Sequence, residues 1–139
     1  MVELRKIEHV SPHIICELAN SYKDVLGIYA ENEFVGCCSL IPQSDVYRID
    51  AEIGYWIGEQ YWRNGYATEA VKQLVAIAFN QWGINRVYIN IFEYNVASMR
   101  VLEKIGFEKE AIIKLSVIKE GRIFNEYIYS IMNIWKMKQ

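Results

Sequence analysis

The sequence predicts an α+β domain built on a mixed β-sheet. Three observations lead there. Apolar runs at residues 25–30, 34–41 and 49–57 are joined by connections too short for a crossover, which makes an antiparallel meander. Past Ile57 the apolar period changes, and a strand–helix–strand–helix stretch follows. The chain then closes on a hairpin. The 139 residues, 53% hydrophobic and 23% charged, form one domain over residues 1–139, with enough apolar mass for a core and too much for disorder.

Taken in order, Ser11-Pro12 reads as a helix start, a hydroxyl N-cap followed by proline at the first helical position, with the helix running to about Tyr22. Glu31-Asn32-Glu33 reads as a hairpin turn. Val71, Leu74, Val75, Ala78 and Trp82 recur at three- and four-residue steps and define one helical face, with Gly83 as its C-terminal cap. From Arg86 to Phe92 the pattern alternates, with Val87, Ile89 and Ile91 on one face and Tyr88, Asn90 and Phe92 on the other. Ala97, Val101, Leu102 and Ile105 then mark the buried stripe of a second helix, closed by Gly106-Phe107. The last two strands flank Lys119-Glu120-Gly121-Arg122. The second of them, residues 123–135, is apolar on both faces, as a central strand is.

Composition excludes several classes. Lys plus Arg is 15 against 17 Asp plus Glu, a net charge of −2, which provides no nucleic-acid surface and no polybasic membrane patch. The longest apolar run, residues 74–79, is too short to span a bilayer, and the first residues carry no signal-peptide core, so a cytoplasmic protein, monomer or homodimer, is expected. Cys16, Cys37 and Cys38 are odd in number and two are adjacent, so they read as buried small hydrophobes without a disulfide framework. His9, His13 and Cys16 have a spacing that suggests metal, but Ser11-Pro12 divides the histidines and no fourth ligand follows, so no metal site is expected. Four Trp and ten Tyr without a basic stripe read as core packing and pocket lining.

One segment carries chemistry. Arg63, Asn64, Gly65, Tyr66, Ala67 and Thr68 join the third strand to the long helix. The first turn of a helix has free N–H groups and a partial positive charge, and small residues let a ligand approach that backbone, which suits a pyrophosphate or another anion. An ordinary strand–helix turn has the same look. No phosphate-binding lysine of the Walker type accompanies it, which argues against a nucleoside-triphosphate site.

The stretch GYWIGEQYWRNGYATEAV, followed by NVASMRVLEKIGF, closely resembles the GNAT superfamily of N-acetyltransferases, and within it the Rim-type branch typified by ribosomal-protein-alanine acetyltransferases. The likeness runs from about Glu52 to Ser130. It implies the GNAT fold: a mixed, mostly antiparallel central sheet with two splayed parallel strands and flanking helices. It implies acetyl-CoA as co-substrate and a small-molecule amine or a protein N-terminus as acceptor. Trp62, Gly65 and Ala67 match the pyrophosphate loop. Cofactor contacts are implied for Ile57, the loop from Arg63 to Thr68, Asn90 and Asn95, with Arg100 or Lys104 near the 3′-phosphate. Asn95 also reads as a helix N-cap, and the two roles are compatible.

Many family members carry a tyrosine where this chain has Leu102. Ser98 is then the implied partner of the leaving sulfur. Glu52 matches the general base of some members. The position where some Rim-type enzymes place a glutamate is Val117 here, and Asn125 stands where relatives often have aspartate. A non-catalytic CoA-binding or acyl-CoA-sensing module is the alternative reading, kept open by these departures and by a short N-terminal region.

Overall fold

The computed structural model describes residues 1–6 and 25–134. Within them the strands are β1 Val2–Lys6, β2 Val25–Ala30, β3 Glu33–Pro42, β4 Asp50–Ile57, β5 Arg86–Phe92, β6 Glu108–Lys119 and β7 Arg122–Met132, and the helices are α1 Tyr66–Ala76 and α2 Val96–Ile105. The sheet order is β1-β2-β3-β4-β5-β7-β6. Every neighbouring pair is antiparallel except β4 and β5, which are parallel. The predicted mixed sheet is therefore present. The helix expected from Ser11 to Tyr22 and the His9, His13 and Cys16 spacing lie outside the described residues, as does Trp135.

The hairpin turns form as their residues demand. Glu31 and Asn32 both adopt positive φ, 51° and 67°, and so do Glu120 and Gly121, 52° and 76°. Two consecutive left-handed residues give the turn whose twist matches the flanking strands. Strand β1 was not anticipated. It adds to the edge of β2 and is tied to α1 by two hydrogen bonds: the Val2 N–H donates to Glu69 Oε2 at 2.8 Å, and Gln73 Nε2 donates to the Val2 carbonyl at 2.7 Å.

The first helical face buries Val71, Leu74, Val75 and Ala78 as expected but not Trp82, whereas the second helix buries a different stripe. On α1, Ala70, Val71, Leu74 and Val75 face the sheet. They pack with Ala51, Ile53, Val87, Ile89 and Leu102 in the core. A buried Leu or Val of this kind contributes about 1.5–3 kcal/mol. The helix then widens into a π turn, Ile77–Gln81. That extra residue per turn rotates Trp82 off the stripe, so it is 44% exposed rather than buried. Gly83 follows with φ 65°, in keeping with its cap role. On α2 the buried residues are Ser98, Met99 and Leu102; Ala97 is exposed, and Val101 and Ile105 are half-buried. The stripe has turned so that a serine, not an alanine, faces inward.

Strand β7 is central, as expected, but Tyr129 and Ser130 are its only buried residues. Its pairing with β5 begins at Glu126, so residues 122–124 pair with β6 alone and the hairpin projects past the sheet. Cys37 and Cys38 are fully buried. Burial pushes the free Cys38 thiol up to about 12. Cys37 is disulfide-bonded, which corrects the expectation that the cysteines act only as small hydrophobes.

The first rung of the parallel pair, Asp50 opposite Arg86, is stapled by charge. The Arg86 guanidinium donates to Asp50 Oδ2 at 3.1 Å and to Glu110 Oε1 and Oε2 at 3.0 and 2.7 Å, and Ser130 Oγ donates to Glu110 Oε1 at 2.7 Å. Hydrogen bonding from Arg86 holds the Glu110 carboxyl below its ordinary range. Its contribution is present above the unfolded value and is lost as pH falls through the lowered folded value. Arg86→Ala strands the partly buried Asp50 carboxylate. Denaturant unfolding is expected to show a loss of about 1–3 kcal/mol at pH 7, the usual cost of a broken partly buried charged hydrogen bond. An unchanged midpoint would show that the staple is inert.

Candidate functional site

Strands β4 and β5 pair at only three positions: Asp50 with Arg86, Ala51 with Val87 and Glu52 with Tyr88. Both strands continue, β4 to Ile57 and β5 to Phe92, without pairing across the gap. The edges of residues 53–57 and 89–92 therefore face one another with their ladder unmade. Unpaired strand backbone is a ready partner for an extended ligand. The outer edges stay in the sheet, β4 on β3 and β5 on β7, which keeps the gap open from both sides. On the β3 side the strands approach so closely that a Cβ at Gly36 would lie 2.0 Å from the Trp56 carbonyl oxygen.

The loop after β4 is braced. Trp62 Nε1 donates to the Ile57 carbonyl at 2.7 Å, Asn64 Nδ2 to the Tyr61 carbonyl at 2.9 Å, and the Tyr61 hydroxyl to Glu33 Oε1 at 2.6 Å. Ile57 is thus a buried anchor of the loop. Arg63 and Gly65 both take positive φ, 69° and 78°. Gly65 is the N-cap of α1 and provides no capping side chain. The first helical bond of α1 runs from the Glu69 N–H to the Gly65 carbonyl, so the N–H groups of Tyr66, Ala67 and Thr68 stand ahead of it. A Cβ built on Gly65 would meet nothing within 4 Å. The acidic residue of this first turn, Glu69, is engaged with β1. The loop therefore fits an anion: free amides, open space and a first-turn carboxylate already engaged elsewhere.

At the start of α2, Asn95 Oδ1 accepts from the Ser98 N–H at 3.3 Å, the capping role expected of it. Ser98 is 9% exposed. Its hydroxyl is hydrogen-bonded to the Tyr55 hydroxyl, which reaches it from β4. Burial raises the Tyr55 pKa, partly offset by that bond. Sequence reasoning missed Tyr55. A tyrosine in a strand reads as packing, and only the long-range contact between β4 and α2 reveals otherwise.

Glu52 occupies the last paired rung, opposite Tyr88, at the mouth of the gap. It is half-buried, and desolvation raises its pKa. Side chains alternate along a strand, so Glu52 and Tyr55 lie on opposite faces of β4, about 10 Å apart along it. The gap thus has a carboxylate on one face and a paired hydroxyl couple on the other. Asn90 lies on β5 along the open stretch, and its Nδ2 donates to Glu126 Oε2 at 3.2 Å. Val117 sits on β6. Asn125 Oδ1 accepts from the Leu115 N–H at 2.9 Å, and the Asn125 N–H donates to Glu93 Oε1 at 2.8 Å. Arg100 and Lys104 are exposed on α2.

Comparison with known proteins agrees with this geometry. The family model described as "Acetyltransferase (GNAT) domain" matches residues 7–108. The uncharacterized N-acetyltransferase YoaA of Bacillus subtilis is 38% identical over 82 residues, covering 59% of this chain and 46% of that protein. The "Putative ribosomal N-acetyltransferase YdaF" of the same organism is 31% identical over 122 residues, covering 86% of this chain and 67% of that one. Mycobacterium smegmatis RimJ, solved with CoA-disulfide, superposes with a TM-score of 0.71 at 23% identity, covering 81% of this chain and 54% of that chain. The chain spans about half the length of the first curated relatives it matches. YdaF bears a ribosomal name, in line with the branch the motifs resemble. On the matched domain and the shared fold, the chain belongs to the GNAT acetyltransferase family.

Proposed function

We propose that this chain is an acetyl-CoA-dependent N-acetyltransferase that transfers an acetyl group to a primary amine by direct attack on the thioester. The observation that carries the reading is the parallel pairing of β4 and β5 that stops at Glu52, beside an uncapped helix N-terminus. The amides of the loop from Gly65 to Thr68 hold the pyrophosphate, with Arg63 and Asn64 shaping the turn. The open edges of β4 and β5, near Ile57, Asn90 and Asn95, receive the pantetheine arm as an added strand. A backbone N–H of that open edge polarises the carbonyl.

Acetyl-CoA supplies the activated acyl group; this chain's residues supply position and proton handling. Glu52 takes a proton from the attacking amine, directly or through one water, because the nucleophile must be neutral. A carboxyl made less acidic by burial is a better match to that task than an ordinary one. Ser98, on the opposite face, hydrogen-bonds the departing sulfur. No covalent enzyme intermediate is needed. The acceptor is a small-molecule amine or a protein N-terminus, and the name of the relative YdaF favours the latter.

The test is a panel of amines and N-terminal peptides with acetyl-CoA, read by release of free thiol. At least one acceptor should release it. CoA at about a hundred times its dissociation constant should stabilise the fold by roughly 2.7 kcal/mol. CoA lacking the 3′-phosphate should stabilise it too, because the pyrophosphate is the main anchor. A melt unmoved by millimolar CoA sinks the proposal. Binding without thiol release from any acceptor would leave a CoA-binding module instead.

A further inference from the structure

We propose that Tyr55 is a positioning residue for the leaving thiolate, acting through Ser98. The inference rests on the acetyl-transfer reading above and deepens it.

Its basis is a contact between two distant parts of the chain. Tyr55 lies on the open stretch of β4, and Ser98 lies in the first turn of α2. Their hydroxyls are hydrogen-bonded, and among the described residues Tyr55 is the partner of the Ser98 hydroxyl. A serine inside a helix commonly returns its hydroxyl to the carbonyl four residues back. Here Tyr55 holds the oxygen from the gap side instead.

The direction of the bond follows from acidity. Either oxygen can donate; a phenol is a far stronger acid than an aliphatic alcohol, so we take the neutral Tyr55 O–H as donor and Ser98 Oγ as acceptor. The hydrogen of Ser98 is then left free to point into the gap. Burial raises the Tyr55 pKa, so the phenol keeps its proton, and its donor role, across the assay range. A hydroxyl that accepts one hydrogen bond becomes a better donor in the next.

The electron count is simple. The amine nitrogen bonds to the acetyl carbon, the carbon–sulfur bond breaks, and its electron pair goes to sulfur. Ser98 donates a hydrogen bond to that thiolate, and Tyr55 holds Ser98 in place. The amine proton passes to Glu52 and on to solvent, and the thiolate is protonated from solvent as CoA leaves. Neither hydroxyl changes its net proton count.

The test uses Tyr55→Phe, which keeps the ring and removes the hydroxyl, together with Ser98→Ala and the double variant. In Tyr55→Phe, kcat should fall about tenfold, the worth of one buried hydrogen bond, with KM for acetyl-CoA unchanged. The double variant should be no slower than Ser98→Ala alone. A second readout needs no acceptor: the thiol of bound CoA, titrated by its thiolate absorbance. Its pKa should lie below that of free CoA in the wild type and rise in both single variants. Additive losses in the double variant, or a bound thiol indifferent to Tyr55→Phe, would overturn the assignment. So would a Ser98→Ala protein whose bound thiol titrates as in the wild type, a check that holds even if Tyr55→Phe fails to fold. Failure of the wild type to acetylate any amine, with the thiol shift intact, would overturn acetyl transfer and leave the positioning standing.

Discussion

Gly65→Glu is expected to abolish CoA binding while leaving the far-ultraviolet circular dichroism of the fold unchanged. Two effects act together. The residue sits at φ 78°, where an L side chain costs about 1–2 kcal/mol. That is small beside the 5–15 kcal/mol that typically separates folded from unfolded chains, so the protein should stay folded. The larger effect is on the ligand. The space off Gly65 is open to 4 Å, so the new carboxylate enters it without displacing protein. There it meets the amides of Tyr66, Ala67 and Thr68 and satisfies them as a capping side chain does. An incoming pyrophosphate then finds its donors taken and a negative charge in its path. Gly65→Ala separates the two effects, since it carries the strain without the charge. It should lower the melting temperature at least as much as Gly65→Glu, which gains a capping carboxylate, and retain CoA binding by calorimetry. Wild-type affinity in Gly65→Glu would place the pyrophosphate elsewhere.

What was legible in the sequence, and what was not, divides along a physical line. Local signals were read correctly. The αL pairs at Glu31-Asn32 and Glu120-Gly121, the cap of α2 by Asn95 and the alternation of β5 all depend on residues adjacent in the chain. Quantities set by tertiary contact were not. Strand β1 is short and only partly apolar, and it is held by a hydrogen bond to Glu69 and one from Gln73 on α1, which no periodicity shows. Trp82 left its stripe because α1 widens into a π turn. Ser98 replaced Ala97 at the buried face of α2, and its partner Tyr55 lies 43 residues away. The loop at Gly65 was legible because a glycine before a helix has a local cause. The position of Glu52 at the last paired rung was not, since it needs the register of β4 against β5.

Glu52→Gln should lower turnover by roughly 10²–10⁴ at neutral pH, the usual range for loss of a general base. CoA affinity should be unchanged, because the amide is nearly isosteric and Glu52 lies at the mouth of the gap, at the far end of β4 from the loop. The pH dependence provides the sharper signature. Desolvation raises the Glu52 pKa, so in the wild type kcat/KM should fall with acid through a value above the ordinary carboxylate range. That limb should vanish in Glu52→Gln. The deficit should also shrink as pH rises, because an amine already neutral in solution needs no base. Ser98→Ala should behave otherwise, with a loss that persists at high pH, where the sulfur still needs its hydrogen bond. Stability adds an independent check. A carboxyl whose folded pKa is raised makes its contribution below the unfolded value and loses it as pH rises through the folded one. Glu52→Gln removes that loss, so at pH 7 the variant should melt at or above the wild-type temperature. Pre-steady-state turnover with one good amine across pH 4 to 9.5, beside melts at the same pH values, reads all of these. Wild-type turnover in Glu52→Gln at pH 7 would mean that another group, or bulk water, takes the proton.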